Sequence, residues 1–580
     1  MQPKTIKTLI VAGFLLGLGL LLVKYSYINS ELIQAIINQL SYLLFGLLTL
    51  ELLFRFILIP TKLNFFRANL ISLVIWWLTI LIFYLIHFHP QTFLTTTRGL
   101  SLILGLLIVR YGYHVLQIIS SIPKLSLYLE HVLKSPARTI ALSFLVVIFI
   151  GTLLLWMPPA TTDGHSIGII NAIFTATSAV CVTGLIVVDT ATRFSLFGKL
   201  VLLALIQVGG LGIMILSYFA AFIIGKRVSL EEKLALSYAL NEREIRRIST
   251  NILRIIVLTF TIELLGAILL TRFFEKVVSS SPKAYFYALF HAVSAFCNAG
   301  FALFSNSLMD FRSDFYLNSV VCFLIITGGL SFVVLANIIE KCFSWFRNTF
   351  FPIKTYPRKL SLNTRAVLSV TLILLAAGTL LIYALEHPNQ LLVYDLPTQY
   401  LSAFFQAVTL RTAGFNTIDI GQLRVPTLLI MCIFMFIGAA SGSTGGGVKV
   451  NTVFVIFAYI KTLLTGKTEV VSMQHTLSRE LVARSFLIII LGLVVVSLGT
   501  ILLTMTENFD LPQIIFEVTS AFGTVGLSTG ITPALSKIGK LLIISIMFIG
   551  RIGPMTLILA ISKPPVLSRV RYPEEEIIIG

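Results

Sequence analysis

Apolar runs long enough to cross a bilayer recur from one end of the 580-residue chain to the other. Four come first, at about 6–24, 36–59, 69–88 and 99–119. The connections near 60–68 and 120–138 carry Lys62, Arg67, Lys124, Lys134 and Arg138, while those near 25–35 and 89–97 carry no Lys or Arg. By the positive-inside rule this places the N-terminus in the cytosol and makes residues 1–134 a four-helix membrane region. The first run, Ile6 to Val23, lacks a small-residue cleavage site and is read as a retained anchor.

From residue 135 onward one pattern repeats four times. A Phe is followed ten residues later by a Gly at Phe174/Gly184, Phe290/Gly300, Phe404/Gly414 and Phe516/Gly526. A second glycine follows inside an apolar run, at Gly209, Gly328, Gly438 and Gly550. Each copy reads as a spanning helix (138–156, 251–270, 366–385, 484–504) and then an amphipathic segment too short to span (168–180, 284–296, 397–409, 512–522). A glycine turn follows, and then a second span (196–223, 315–340, 426–460, 538–561). The repeats are bounded as 135–240, 241–360, 361–480 and 481–565, with a cytosolic tail over 566–580. The predicted fold is an all-α polytopic membrane protein: four pseudo-repeated helix–pore-loop–helix units around one central pore, plus four N-terminal transmembrane helices.

Composition narrows the reading. The chain is 57% hydrophobic and only 12% charged, too few charges to cover a water-soluble surface. The net charge of +18 sits mainly in alternate connections. Lys226, Arg227, Lys233, Arg243, Arg246 and Arg247 fill the first link, and Lys341, Arg347, Lys354, Arg358, Lys359 and Arg365 the second. Membrane topology therefore explains the charge, and nucleic-acid binding is not expected. The five Cys have no metal spacing, and no nucleophile or acid–base constellation suggests an enzyme.

The turns carry the candidate chemistry. They read Val182-Thr183-Gly184, Asn298-Ala299-Gly300, Thr412-Ala413-Gly414 and Thr524-Val525-Gly526. Irregular backbone at membrane depth is tolerated only when it is buried in protein or lines a water-filled cavity. Four such turns on a pseudo-fourfold axis can present rings of carbonyls that replace the hydration shell of a cation. No acid stands at any of the four glycines or at the three residues before them, so selection rests on carbonyls. Asp189, Asp310, Asp314, Asp419 and Asp510 lie near the outer mouth, as cation concentrators or as ordinary loop acids. Phe174, Phe290, Phe404 and Phe516 are expected packing anchors. His291 is expected to cap or pack in its helix, and Asn298, Asn306 and Asn416 to buttress the turns. Glu263 is expected to pair within the membrane, with Arg254 as one candidate.

The stretches TATSAVCVTGL (175–185), HAVSAFCNAGF (291–301), FQAVTLRTAGFNT (405–417) and TSAFGTVGLSTG (519–530) resemble the Trk/Ktr/HKT superfamily of K⁺ transporters. The resemblance spans roughly residues 135–565 and is closest to the Ktr-type membrane subunit. It implies K⁺ uptake across the plasma membrane, with K⁺ held at Gly184, Gly300, Gly414 and Gly526. Plant members with Na⁺ preference carry Ser at the first of these positions, whereas all four are Gly here. A Na⁺-selective or Na⁺-coupled transporter and a voltage-gated channel stand as alternatives. No covalent cofactor is implied. The expected partners are a second copy, making a homodimer, and a separate cytosolic nucleotide-binding ring docked on the basic links.

The third copy breaks over 438–447, where Gly438, Gly442, Ser443, Thr444, Gly445, Gly446 and Gly447 make a continuous helix unfavourable. The resemblance makes this an intramembrane gating loop. It sets Arg551, in Gly550-Arg551-Ile552-Gly553-Pro554, opposite that loop as a second gating element. Snorkelling to the inner interface is the other reading of Arg551, and of Lys449.

The N-terminal region is weakly voltage-sensor-like: Glu51 and Arg55 stand on one span, Arg98 and Arg110 on another. Two arginines couple to the field by at most about 4–5 kcal/mol per 100 mV, so appreciable voltage sensing is not expected.

Overall fold

The computed structural model describes residues 31–58, 72–84, 136–212, 248–278, 280–350 and 360–561, with the single positions 13, 107 and 215. The chain divides into two compact units, Met1–Lys134 and Ser135–Gly580.

In the first unit, helix α1 (Glu31–Leu58) packs on a helical segment over Ser72–Tyr84. Trp76 Nε1 donates to Thr49 Oγ1 at 3.1 Å, and the rings of Tyr42 and Phe83 stack at 4.9 Å. Glu51 is buried in α1. The expected sensor arginines Arg98 and Arg110, and the side chain of Arg55, lie outside the described residues.

The second unit is built from the four copies. Their first spans are α2 (Pro136–Trp156), α5 (Ile248–Val277), α9 (Leu362–Glu386) and α13 (Arg479–Thr506). All four are long and apolar enough to cross a membrane. Each has a lipid-type exposed face, for example Leu145, Phe149 and Leu153 on α2. The short segments are helices α3 (Ile169–Val180), α6 (Ser281–Phe296), α10 (Leu396–Thr409) and α14 (Leu511–Gly523). Prolines in the first turn start three of them, at Pro282, Pro397 and Pro512, where the missing N–H costs nothing.

The second spans differ from expectation. Only the third was expected to break, yet the second and fourth are also bent. Helices α7 (Phe315–Gly329) and α8 (Phe332–Phe350) meet at 107°, and α15 (Lys537–Ile552) and α16 (Pro554–Ile561) at 92°. The third splits into α11 (Val425–Phe436) and α12 (Val450–Leu464). The first begins as α4 (Leu196–Leu211), beyond which Lys226 to Arg247 lie outside the described residues.

The bends have a backbone cause. The carbonyls freed at the end of α7 accept from the loop of the third copy: Ala440 N donates to Gly329 O at 3.1 Å and Thr444 Oγ1 to Gly328 O at 3.0 Å. At the end of α15, Gly447 N donates to Gly550 O at 3.3 Å, and Gly553 takes φ +89°. Broken helices persist at membrane depth when protein groups satisfy the backbone in this way.

Candidate functional site: a ring of four glycine turns

The second glycine of each copy explains how the turns come together. At Gly209, Gly328 and Gly550 a β-carbon would collide with the carbonyl of Val180, Phe296 and Phe522, the last residues of the preceding short helices or their neighbours. Only glycine allows the returning span to touch the backbone behind the turn. Gly438 departs from this pattern and lies against the carbonyl of Gly446, inside its own copy's loop.

Each short helix aims its C-terminal end, the negative end of its dipole, at its turn. The first residue of every turn is left-handed: Val182 at φ +56°, Asn298 at +58°, Thr412 at +71° and Thr524 at +51°. The glycine two residues on is also positive, at +91°, +68°, +83° and +91° for Gly184, Gly300, Gly414 and Gly526. Non-glycine residues enter this region at roughly 1–2 kcal/mol each, so four in register mark a geometry imposed by the surroundings.

The four turns form one closed ring. A β-carbon on Gly184 would stand 2.5 Å from Ala299 O and 3.1 Å from the α-carbon of Gly300. On Gly300 it would meet Ala413 O at 2.7 Å, on Gly414 it would meet Val525 O at 2.5 Å, and on Gly526 it would collide with Thr183 O. Each turn thus presents the peptide oxygen before its glycine to the glycine of an adjoining repeat, in chain order, and the fourth returns to the first. Thr183, Ala299, Ala413 and Val525 are themselves fully buried.

One support was missed in the sequence. Ser178 Oγ accepts from Gly184 N at 3.1 Å and donates to Leu185 O at 2.8 Å. Ser294 Oγ donates to Phe301 O at 2.7 Å, and Ser520 Oγ accepts from Gly526 N at 3.1 Å. The signal was available as a serine six residues before the glycine in three of the four motifs; the third has Val408 there. A second missed residue is Glu517, fully buried in α14 and accepting from Ser528 Oγ at 2.8 Å and from Thr532 Oγ1. It ties the short helix to the segment that follows the fourth turn. A third is Arg411, buried beside the third turn, whose carbonyl accepts from Asn298 Nδ2 at 3.2 Å.

Other expected residues sort as follows. Phe174, Phe290 and Phe516 are fully buried anchors, but Phe404 is 36% exposed. It shares a helical stripe with exposed Leu396 and Tyr400, and Phe405 is the buried ring instead. Helix α10 ends at Thr409, five residues before Gly414, whereas α3 and α6 end four before theirs, which alters the face it turns inward. Asn298 bridges to the third turn, its Nδ2 reaching Thr412 Oγ1 at 3.3 Å. Asn416 anchors its own loop through Ile418 O at 3.0 Å, but Asn306 holds Asp310, not a turn. His291 spans Tyr287 O at 2.8 Å and Leu303 N at 3.3 Å. Glu263 accepts from Gln207 Nε2 at 3.0 Å and Cys297 Sγ at 3.6 Å, while Arg254 pairs with Glu340 at 3.4 Å. The outer acids work locally. Asp189, Asp314 and Asp419 cap short helical turns or helices, and Asp189 also accepts from Ser305 Oγ at 2.6 Å, joining the first and second copies. Burial pushes the Asp189 carboxyl up, and the bonds from Ser305, Ala191 and Thr192 outweigh it and hold the group below its usual range.

Beneath the ring lies the break of the third copy. Gly446 N donates to Thr524 Oγ1 at 2.9 Å, and a β-carbon on Gly445 would run into Thr412 Oγ1. The loop is therefore pressed against the first residues of two turns. Arg551 does not reach toward an interface: it is half-buried, its Nη1 donates to Thr444 O and its Nη2 to Gly209 O. One guanidinium thus joins the loop to the first and fourth copies.

The TrkH family, described as cation transport protein, matches residues 112–567. The chain belongs to that family. It is a membrane-embedded transporter of ions, not an enzyme. Relatives include the Ktr system potassium uptake protein B of Bacillus subtilis, 40% identical over 449 residues, which are 77% of this chain and 97% of that protein. The potassium/sodium uptake protein NtpJ of Enterococcus hirae is 36% identical over 453 residues, covering 77% and 97%. The crystal structure of the potassium transporter TrkH from Vibrio parahaemolyticus superposes with a TM-score of 0.61 at 16% identity, over 86% of this chain and 98% of that one, and so shares the fold.

Proposed function

We propose that the chain takes up K⁺ through the ring of four glycine turns, with the loop at 438–447 as its gate. The observation that carries this reading is the closed sequence of contacts from Gly184 through Gly300 and Gly414 to Gly526 and back to Thr183. In it, a cation on the axis meets peptide oxygens from all four copies. Val182, Thr183, Asn298, Ala299, Thr412, Ala413, Thr524 and Val525 supply the remaining backbone of the filter. The relatives named for potassium uptake agree with K⁺ as substrate.

The loop reads as the gate because it abuts Thr412 and Thr524 and is held by Arg551. Gly442 and Gly447 take φ +76° and +69°, conformations that leave it free of helical constraint. Membrane potential, negative inside, drives uptake across the plasma membrane. A homodimer on a cytosolic nucleotide-binding ring is the proposed assembly, with the basic links as its contact.

A second reading, transport shared with Na⁺, is favoured by the relative named for both ions. Expression in cells deprived of their own K⁺ uptake tests the proposal. Growth at low K⁺ and uptake of ⁸⁶Rb⁺ competed by K⁺ but not by Na⁺ are expected; competition by both ions equally would favour the second reading.

A further inference from the structure

The gating loop already holds a cation. Lys449 is the last residue before α12, and its Nζ donates to Gly445 O at 2.5 Å and to Gly446 O at 3.1 Å. These two peptides are the ones pressed against Thr412 and Thr524 of the ring. Both peptides are buried, and the Gly446 carbonyl also lies against Gly438, so the ammonium meets these oxygens inside the protein.

The ammonium is not there for a carboxylate. Among the described residues the ion pairs are Arg193–Asp163, Arg254–Glu340 and Arg484–Glu480, none of them at the loop. Lys449 stands instead at the N-terminus of α12, the positive end of a helix dipole, which disfavours a cation. Arg551 adds a second positive charge on Thr444 O. What holds the ammonium against both is the pair of peptide oxygens.

We propose that the carbonyl oxygens of Gly445 and Gly446 form a monovalent-cation site on the inner side of the ring, in which the Lys449 ammonium stands in for the transported ion. The inference rests on the K⁺-pore reading and deepens it. A primary ammonium and K⁺ carry the same charge and are both satisfied by peptide oxygens, so they compete for the pair. The competition has a direction. A cation arriving from the outer side repels the tethered ammonium toward the cytosol and clears its own path. A force driving cations outward pulls the ammonium up against the loop. Lys449 is thus a tethered blocker, relieved by uptake and reinforced by efflux.

The test is current recorded from giant spheroplasts of cells expressing the full chain, with equal K⁺ on both faces. Wild type should pass several-fold more inward than outward current at equal and opposite potentials. Lys449→Gln should bring that ratio toward one by raising the outward current, and Lys449→Arg should preserve it. A second measurement needs only wild type: at a fixed outward-driving potential, raising external K⁺ should increase the conductance by displacing the ammonium. A linear wild-type current, rectification unchanged in Lys449→Gln at equal surface amount, or indifference to external K⁺ would overturn the site. Absence of any wild-type K⁺ current would overturn the pore reading on which it rests.

Discussion

The peptide oxygen of Thr183 lies where a β-carbon on Gly526 would stand, and this contact joins the fourth repeat to the first. The two residues are separated by most of the folded unit, yet their backbones touch. A ring closed in this way has no slack: space at one glycine is set by the carbonyl of the next.

Gly526→Ala should therefore abolish ⁸⁶Rb⁺ uptake at equal surface expression. The added methyl meets Thr183 O and also strains a φ of +91°. Gly530→Ala is the control, because Gly530 has φ +97° in the same repeat but open space around it. It should cost about 1–2 kcal/mol of backbone strain and leave uptake near wild type. Equal loss of uptake in both variants would show that strain, not ring closure, is responsible.

Ser178→Ala should loosen the first turn without removing it. Gly184 N and Leu185 O would lose their shared partner in a buried setting, at about 1–3 kcal/mol for each group left unsatisfied. The expected outcome is a smaller preference for K⁺ over Na⁺ in competition uptake. Val408 occupies the matching position in the third copy, so Val408→Ala should leave that preference as it is.

Arg551→Gln should free the loop. Its contacts to Thr444 O and Gly209 O tie the loop to the first copy and add to the Gly446–Thr524 bond that ties it to the fourth. Basal flux should rise, and hydrogen exchange over 438–449 should quicken while exchange in α13 stays unchanged. Slower flux with an unaltered loop would assign Arg551 to packing alone.

Asp189 gives a stability signature in acid. Its folded-state pKa lies below the ordinary value, so the unfolded state binds the proton first as pH falls. The stabilisation is complete above the ordinary carboxylate pKa of about 4 and is lost as pH drops through the depressed folded value. Thermal denaturation in detergent should show wild type losing Tm below about pH 4 more steeply than Asp189→Asn. Ser305→Ala should behave in the same direction, since Ser305 is one of the donors that depress the pKa.

Much of this was legible before any coordinates. Short helices expected at 168–180, 284–296, 397–409 and 512–522 occur at Ile169–Val180, Ser281–Phe296, Leu396–Thr409 and Leu511–Gly523. Fixed spacing and length carry that information locally. The bend at Leu330 was not legible, because its apolar run reads as an unbroken helix, whereas the one at Gly553 was signalled by Gly553-Pro554, part of a stretch read only for its Arg551. The donors that satisfy the carbonyls freed at those bends come from a loop more than a hundred residues away in either direction. The same holds for Phe404, whose ten-residue spacing matched its counterparts although its helix turns that ring outward. Spacing reports position along the chain, while the facing partner decides burial. Lys449 was open between snorkelling and a pore role for the same reason: its partners, Gly445 and Gly446, lie within four residues, but only the folded loop brings their oxygens to one point.

Ion selectivity in Gly184→Ser tests the central claim most directly. The measurement is ⁸⁶Rb⁺ influx into cells lacking their own K⁺ uptake, titrated with K⁺ and with Na⁺, for wild type and the variant at matched surface amount. If the four turns are one cation-selecting constriction, wild type is competed by K⁺ far better than by Na⁺, and a side chain driven toward Ala299 O erodes that difference. Undiminished K⁺ preference in the variant would contradict it.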